Sequence, residues 1–151
     1  MFLKLLPFAS MLLTAVAVFG QIKSYDSPTK TIHALIVSVG TKGYEAYESR
    51  VDIRSSSGAL LRSKSFASRD HNHGEGVGHA EWTAEGRFFV FNTNSSGGHQ
   101  PWHVTTYVYS VRSNRFYSVD SFAGPITSDF ILRGETLVTT RMGATADERC
   151  Q

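Results

Sequence analysis

Five of the six histidines fall between positions 71 and 103, in two glycine-rich stretches. The first runs from Asp70 through His71, His73, Gly74, Glu75, Gly76 and Gly78 to His79, the second from Ser95 through Gly97, Gly98, His99 and Trp102 to His103. Imidazole is the commonest biological ligand for zinc and copper, and three or four converging rings make a site. His71, His73, His79, His99 and His103 are therefore the candidate metal ligands. Asp70, Glu75 or Glu81 would supply a carboxylate, as a ligand or behind one. His71 and His73, two apart, share a face on a strand, whereas His99 and His103, four apart, converge only on a turn. The spacing lacks the helical His-Glu-x-x-His pattern. Nor does a glutamate follow the paired histidines after three or four residues, since Glu75 comes too soon and Glu81 too late. Polar, turn-compatible loops have the same composition, so the metal reading has a plain structural alternative. His33, inside an apolar run, reads as a hydrogen-bonded core histidine.

Other catalytic signals are thin. There is no Gly-x-Ser-x-Gly elbow, no phosphate-cradling Gly-Lys-Ser/Thr loop and no dinucleotide fingerprint. Ser95 and Ser96 near His99 read as turn residues. Asn94-Ser95-Ser96 is a formal glycosylation sequon, meaningful only in a eukaryotic secretory route. A second kind of chemistry is recognition. The aromatics Trp102, Tyr107, Tyr109, Phe116 and Tyr117 offer it, and Tyr107 and Tyr109 share one strand face, opposite Val104, Thr106 and Val108. If the valine side is buried, the tyrosines form an exposed amphipathic strip suited to a protein or carbohydrate surface. The alternative has both faces covered, with the tyrosines at the rim of a second core. Trp102 would anchor such a surface in a partner pocket, and Gly97 and Gly98 would let the backbone approach closely.

These residues need a scaffold, and the chain outlines one. Residues 1–20 carry Lys4, an apolar run from Leu5 to Phe19, and small residues at Ala15, Ala17 and Gly20. That is the pattern of a secretory signal, shorter than a bilayer span. Its removal leaves 131 residues with 14 basic and 13 acidic side chains, and no membrane span. A net charge of +1 without a basic cluster argues against nucleic-acid binding. One domain of this size buries enough surface for a core without disulfide staples. Cys150 stands alone beside the last residue, so no intramolecular disulfide can form.

Residues 21–30 are polar and carry Pro28, and read as a flexible lead-in. An all-β domain is expected over 31–140, and a polar tail over 141–151. Thr31–Val39 is rich in Ile, Leu and Val, as a buried strand is. From Tyr47 to Arg54 the residues alternate, which places Glu48, Arg50, Asp52 and Arg54 on one solvated face. Ser55–Gly58 turns the chain into Ala59–Phe66. Gly78–Thr83 and Arg87–Asn92 form a second hairpin, with Phe88–Phe91 buried on both faces. Val104–Val111 and Phe116–Val119 form a third, turning at Asn114. Phe130–Leu132 and Thr136–Thr140 form a fourth. Consecutive hairpins without a sustained helical period predict antiparallel hairpins in a meander, sandwich or partial barrel.

One segment adds a resemblance. Ala80-Glu81-Trp82-Thr83-Ala84-Glu85-Gly86-Arg87 followed by Phe88–Phe91 resembles the hairpin of TolB-like β-propeller repeats, in which an aromatic precedes an acidic-Gly turn and an apolar strand. An ungapped partner lies 48 residues on, where Phe130, Gly134 and Leu137-Val138 match Trp82, Gly86 and Phe89-Val90. The resemblance implies a blade-like period. Propellers typically have at least four blades, more than this chain can supply. The expected fold is thus a small sandwich or a partial propeller-like sheet pair, with a self-assembling partial propeller as a variant. The chain also resembles small exported bacterial proteins without an assigned activity. The function expected from the sequence is a secreted or periplasmic, non-catalytic binding module for a protein or carbohydrate, without a cofactor. The alternative is a His-site protein or enzyme holding zinc or copper.

Overall fold

A computed structural model describes residues 21–39, 48–70, 73–95 and 102–143 of the chain. The fold is all-β, as the hairpin spacing predicts. Four strands, β1 (Ile22–Asp26), β2 (Ile32–Ser38), β3 (Ser49–Ser55) and β4 (Leu60–Ser65), form an antiparallel meander in chain order. A second meander follows: β5 (Glu75–Trp82), β6 (Phe88–Ser95), β7 (Thr105–Ser110) and β8 (Arg115–Ser118). A one-turn helix, α1 (Asp120–Ala123), then leads to a two-stranded hairpin of β9 (Ile131–Arg133) and β10 (Thr136–Val138). Among the described residues no helix is long and apolar enough to cross a membrane.

The two meanders pack face to face. Ala34 pairs with Ile53 and Ile36 with Val51, so all four present one face of the first sheet. Ala80, Trp82, Phe89, Phe91 and Tyr109 meet them from the second, in one core cluster. The rings interlock: Phe89 lies 5.1 Å from Trp82 and 5.7 Å from Tyr25, and Phe91 lies 5.5 Å from Tyr107. Such contacts contribute about 0.5–1.5 kcal/mol each beyond area burial. The Trp82 indole N–H donates to the Tyr25 carbonyl at 2.9 Å, so its polar atom is satisfied in the interface.

A third layer closes part of the second sheet's far face. Val90, Asn92 and Thr106 lie there by strand pairing and are buried. The chain after β8 covers them, with Val119, Ile126 and Phe130 also buried. Val119 donates to the Thr106 carbonyl at 2.8 Å, and Val104 donates to that of Ile126 at 2.9 Å.

Three sequence expectations are corrected. Residues 21–30 are not a loose lead-in: β1 pairs along β2 from Ile22–Val37 to Asp26–His33. Its polar alternation suits an edge strand, and Pro28 falls in the following turn, where it interrupts no ladder. Glu48 is not solvated. It is 1% exposed, and its carboxylate accepts hydrogen bonds from Gly74 N–H at 2.7 Å, Ser68 Oγ at 2.6 Å and Ser68 N–H at 3.1 Å. Gly74 is required there, because a Cβ would come within 2.4 Å of the Phe66 carbonyl oxygen. Asp52 sits on the expected face but is also buried, held by Arg50 at 2.9 and 3.0 Å and Ser63 at 2.6 Å. Burial pushes its carboxyl up, yet hydrogen bonds from Arg50 and Ser63, with the Arg54 charge, leave it below the usual carboxylate range.

Of the segment expected as a polar tail, residues 141–143 are described. Arg141 bridges Ile126, and Met142 N–H donates to the Pro125 carbonyl at 2.8 Å.

Candidate functional site

Each described loop histidine is held by a different carboxylate. His73 Nδ1 lies 2.5 Å from Asp70, within the loop that Glu48 organises. His79, on β5, places Nδ1 2.9 Å from Asp129 and stacks on Phe130 at 4.3 Å, with planes 4° apart. The same Asp129 oxygen accepts from Asn92 Nδ2 at 2.6 Å and from Phe130 N–H at 2.7 Å. His103 Nε2 lies 2.6 Å from Asp120, which also accepts from the N–H groups of Thr106 at 3.0 Å and Ile126 at 3.1 Å. Burial raises the Asp120 carboxyl, but the His103 hydrogen bond and the two backbone donors outweigh it and leave it lowered. His33, by contrast, is half-buried and bonds to Asp26 at 2.8 Å rather than sitting in the core.

Among the described residues no three metal-ligating side chains converge. Glu75 accepts from Thr93 Oγ1 at 2.6 Å, and Glu81 lies 3.9 Å from His79. His71 and His99 lie outside the described residues, as do Gly97 and Gly98. Two of the three described pairs bind the layer after β8 to the second sheet.

The recognition residues divide. Tyr109 is 1% exposed, inside the core, and its hydroxyl donates to Asn114 Oδ1 at 3.0 Å. Tyr107 packs against the same core beside Phe91 and Phe66, with Lys64 Nζ 5.0 Å from its ring centroid. Burial, with the charges of Glu75 and Asp120, pushes its phenol up to about 12. The exposed tyrosine strip is therefore corrected: these rings face the first sheet. Trp102 is 49% exposed and stacks on His103 at 5.4 Å. The Asp120–His103 pair thus fixes the imidazole beneath Trp102, the one recognition residue at the surface among those described.

Asp120 begins α1, which also carries Phe122, 73% exposed. Phe122 borders an open groove of about 540 Å³, lined also by Phe88, Val108, Ser110, Arg112, Ser113 and Tyr117. The lining is mainly apolar, and Arg112 is its one charged residue. Sequence reasoning missed this groove. Phe88 reads as buried on both faces, and Phe122 lies in a short polar segment with no periodicity to mark it. Val108 was visible only as the neighbour opposite the tyrosines; once those point inward, Val108 must point out.

The chain matches no family model, no curated protein and no solved structure.

Proposed function

We propose that the mature chain is an exported, non-catalytic binding module. Its working surface is the groove between Phe88, Val108, Tyr117 and Phe122, with Trp102 as a second anchor. The observation that carries this reading is the open apolar groove itself. A sheet face that is sealed at one end and left apolar and concave at the other offers area that water disfavours. Pockets of this volume are usual for recognition sites. Protein fits the lining better than carbohydrate, because four large apolar side chains supply area and few hydrogen bonds. The apolar leader over residues 1–20 supports export, and the blade-like recurrence of Trp82 and Phe130 at sheet junctions supports the propeller-like resemblance. Both aromatics are buried at the front of a sheet that packs on the one before it.

The test is partner capture by the mature protein from the exported protein fraction of its source. Trp102→Ala and Val108→Asp should each weaken capture by about tenfold, the loss of a buried anchor of modest size. Combined His71→Ala and His73→Ala should leave it unchanged. One equivalent of zinc or copper retained through dialysis, and lost in that double-histidine variant, would overturn this reading in favour of a metal protein.

A further inference from the structure

The two meanders are repeats of one another. In the first turn of the first sheet, Ser27 N–H donates to the Ile32 carbonyl at 2.9 Å and Lys30 N–H to that of Ser27 at 2.8 Å. In the second, Thr83 N–H donates to Phe88 at 3.0 Å and Gly86 N–H to Thr83 at 2.8 Å. The side-chain caps recur too: Ile32 N–H on Ser27 Oγ at 3.3 Å, and Phe88 N–H on Thr83 Oγ1 at 3.1 Å. Lys30, Gly86 and Gly134 adopt φ of 56°, 69° and 62° in the first turns of the three sheets. Strand pairing carries the equivalence onward. Ala34, Ile36, Val51 and Ile53 correspond to Val90, Asn92, Thr106 and Val108, because both sets pair in the same order counted from the turn.

The stacking recurs as well. Pro28 of the first turn abuts Gly86 of the second, where a Cβ would come 3.1 Å from Pro28 Cδ. Ala84, equivalent to Pro28, donates its N–H to the Gly134 carbonyl of the third turn at 3.3 Å. Each sheet therefore lays the same face on the next. The first sheet's face is covered at Ile53 and Val51, which are buried against the second sheet, while Arg62, paired with Ile53 from β4, is exposed. The second sheet's equivalent face is covered at Val90, Asn92 and Thr106, but Val108, the counterpart of the buried Ile53, is only half-buried. Coverage is thinner there because, among the described residues, the third sheet has two strands where the others have four. Contacts of Gly134 with Ala84, and of Asp129 with His79 and Asn92, set the β9–β10 hairpin over β5 and β6. By the order of the complete sheets, the next strand would follow β10 and lie over β7, across the groove. Among the described residues nothing pairs with that edge of β10.

We propose that the edge of β10 that no described residue pairs with and the groove form one β-strand-addition site. It takes an extended polypeptide segment from a partner protein, with apolar residues at every second position. Backbone pairing with β10 would supply orientation, and the alternate side chains would fill the space between Phe88, Val108, Tyr117 and Phe122. Such a segment would continue the interface between the first two sheets, where Tyr107, Tyr109 and Phe116 of the third and fourth strands fill the matching space. This inference deepens the binding-module reading and rests on it.

The probe is a synthetic peptide of residues 105–118, the chain's own segment that holds this position in the second sheet. It is titrated into the mature protein, with hydrogen exchange followed at Thr136–Val138. Saturable binding with protection of those amides is expected. Affinity should fall at least about tenfold for the Val108→Asp protein and for a peptide N-methylated along one edge. Tyr117→Glu repeats the protein test at a more exposed position. Equal affinity for the N-methylated peptide would overturn strand addition while leaving the groove as a binding surface. No binding at millimolar peptide would overturn it too, and so would a dimer that Val108→Asp dissociates, since the occupant would then be a second copy. Partner capture with Trp102→Ala judges the binding-module reading separately.

Discussion

The two faces of the β5–β8 sheet come from the same strands, residue by residue alternated, yet they have opposite fates. The face toward the first sheet carries Trp82, Phe89, Phe91, Tyr107, Tyr109 and Phe116 and is closed by a complete four-stranded partner. The other carries Phe88, Val90, Asn92, Thr106, Val108 and Tyr117 and, among the described residues, meets a two-stranded hairpin and the turn around α1. Where that cover is present it is fastened by carboxylates, Asp120 to His103 and Thr106, and Asp129 to His79 and Asn92. Where it is absent, apolar residues line an open groove. Covering by rings stabilises through area; covering by a short, partly polar segment depends on hydrogen bonds holding it down. The difference teaches that, among the described residues, an open groove arises where successive sheets differ in strand number.

The sharpest way to break this contrast is to remove one apolar side chain from each face. Phe91→Ala should cost about 3–5 kcal/mol, a large cavity in a closed core. Val108→Ala should cost less than about 1 kcal/mol, because its methyls are already partly in water. Urea unfolding of both variants at unchanged m-value checks this. Comparable losses would mean that the groove is filled in the native protein.

Next in size is the fastening. Asp120→Asn should lose about 1–2 kcal/mol at neutral pH, as charge-assisted bonds to His103, Thr106 and Ile126 weaken. Because the folded carboxyl sits below its ordinary value of 3.8, its contribution is complete above that pH and is lost as pH falls through the lowered folded value. The wild-type advantage should therefore shrink in acid, as a pH series of unfolding midpoints would reveal. A difference constant down to pH values below 3.8 would remove the ion-pair account.

The smallest effect sharpens the placement of Tyr107. A phenol whose ionisation is raised from 10.0 to about 12 favours the folded state below pH 10, and this contribution declines as pH rises toward 12. Absorbance titration should show Tyr107 ionising near the top of that window. Tyr107→Phe should remove the component and change neutral stability by less than about 1 kcal/mol. Ionisation of Tyr107 at its ordinary value would return it to the surface.

The local signals of the sequence were dependable where the chain's own neighbours decide the outcome. Gly58, Gly86, Asn114 and Gly134 mark hairpin turns because only residues tolerant of positive φ fit there, and all four adopt it. Lys30 does so too, without advertising it, which is why the turn before β2 and the strand ahead of it went unread. Of the candidate site, Trp102 and His103 are legible as surface chemistry. The groove is not, since Phe88, Val108, Tyr117 and Phe122 are 34 positions apart at the extremes and no local pattern joins them.

Period-two alternation by itself determined that Tyr107 and Tyr109 share a face opposite Thr106 and Val108, and that Arg50 and Asp52 oppose Val51 and Ile53. It left open which face meets another sheet, because that depends on what a distant segment brings. Tertiary structure decided that the tyrosines turn inward against the first sheet, and that Glu48 is sealed by a loop ending at Gly74. It also decided that each described loop histidine pairs with its own aspartate. A strand's side-chain alternation is written into adjacent peptide units; the burial of either face is a free-energy difference set by area supplied from elsewhere in the chain.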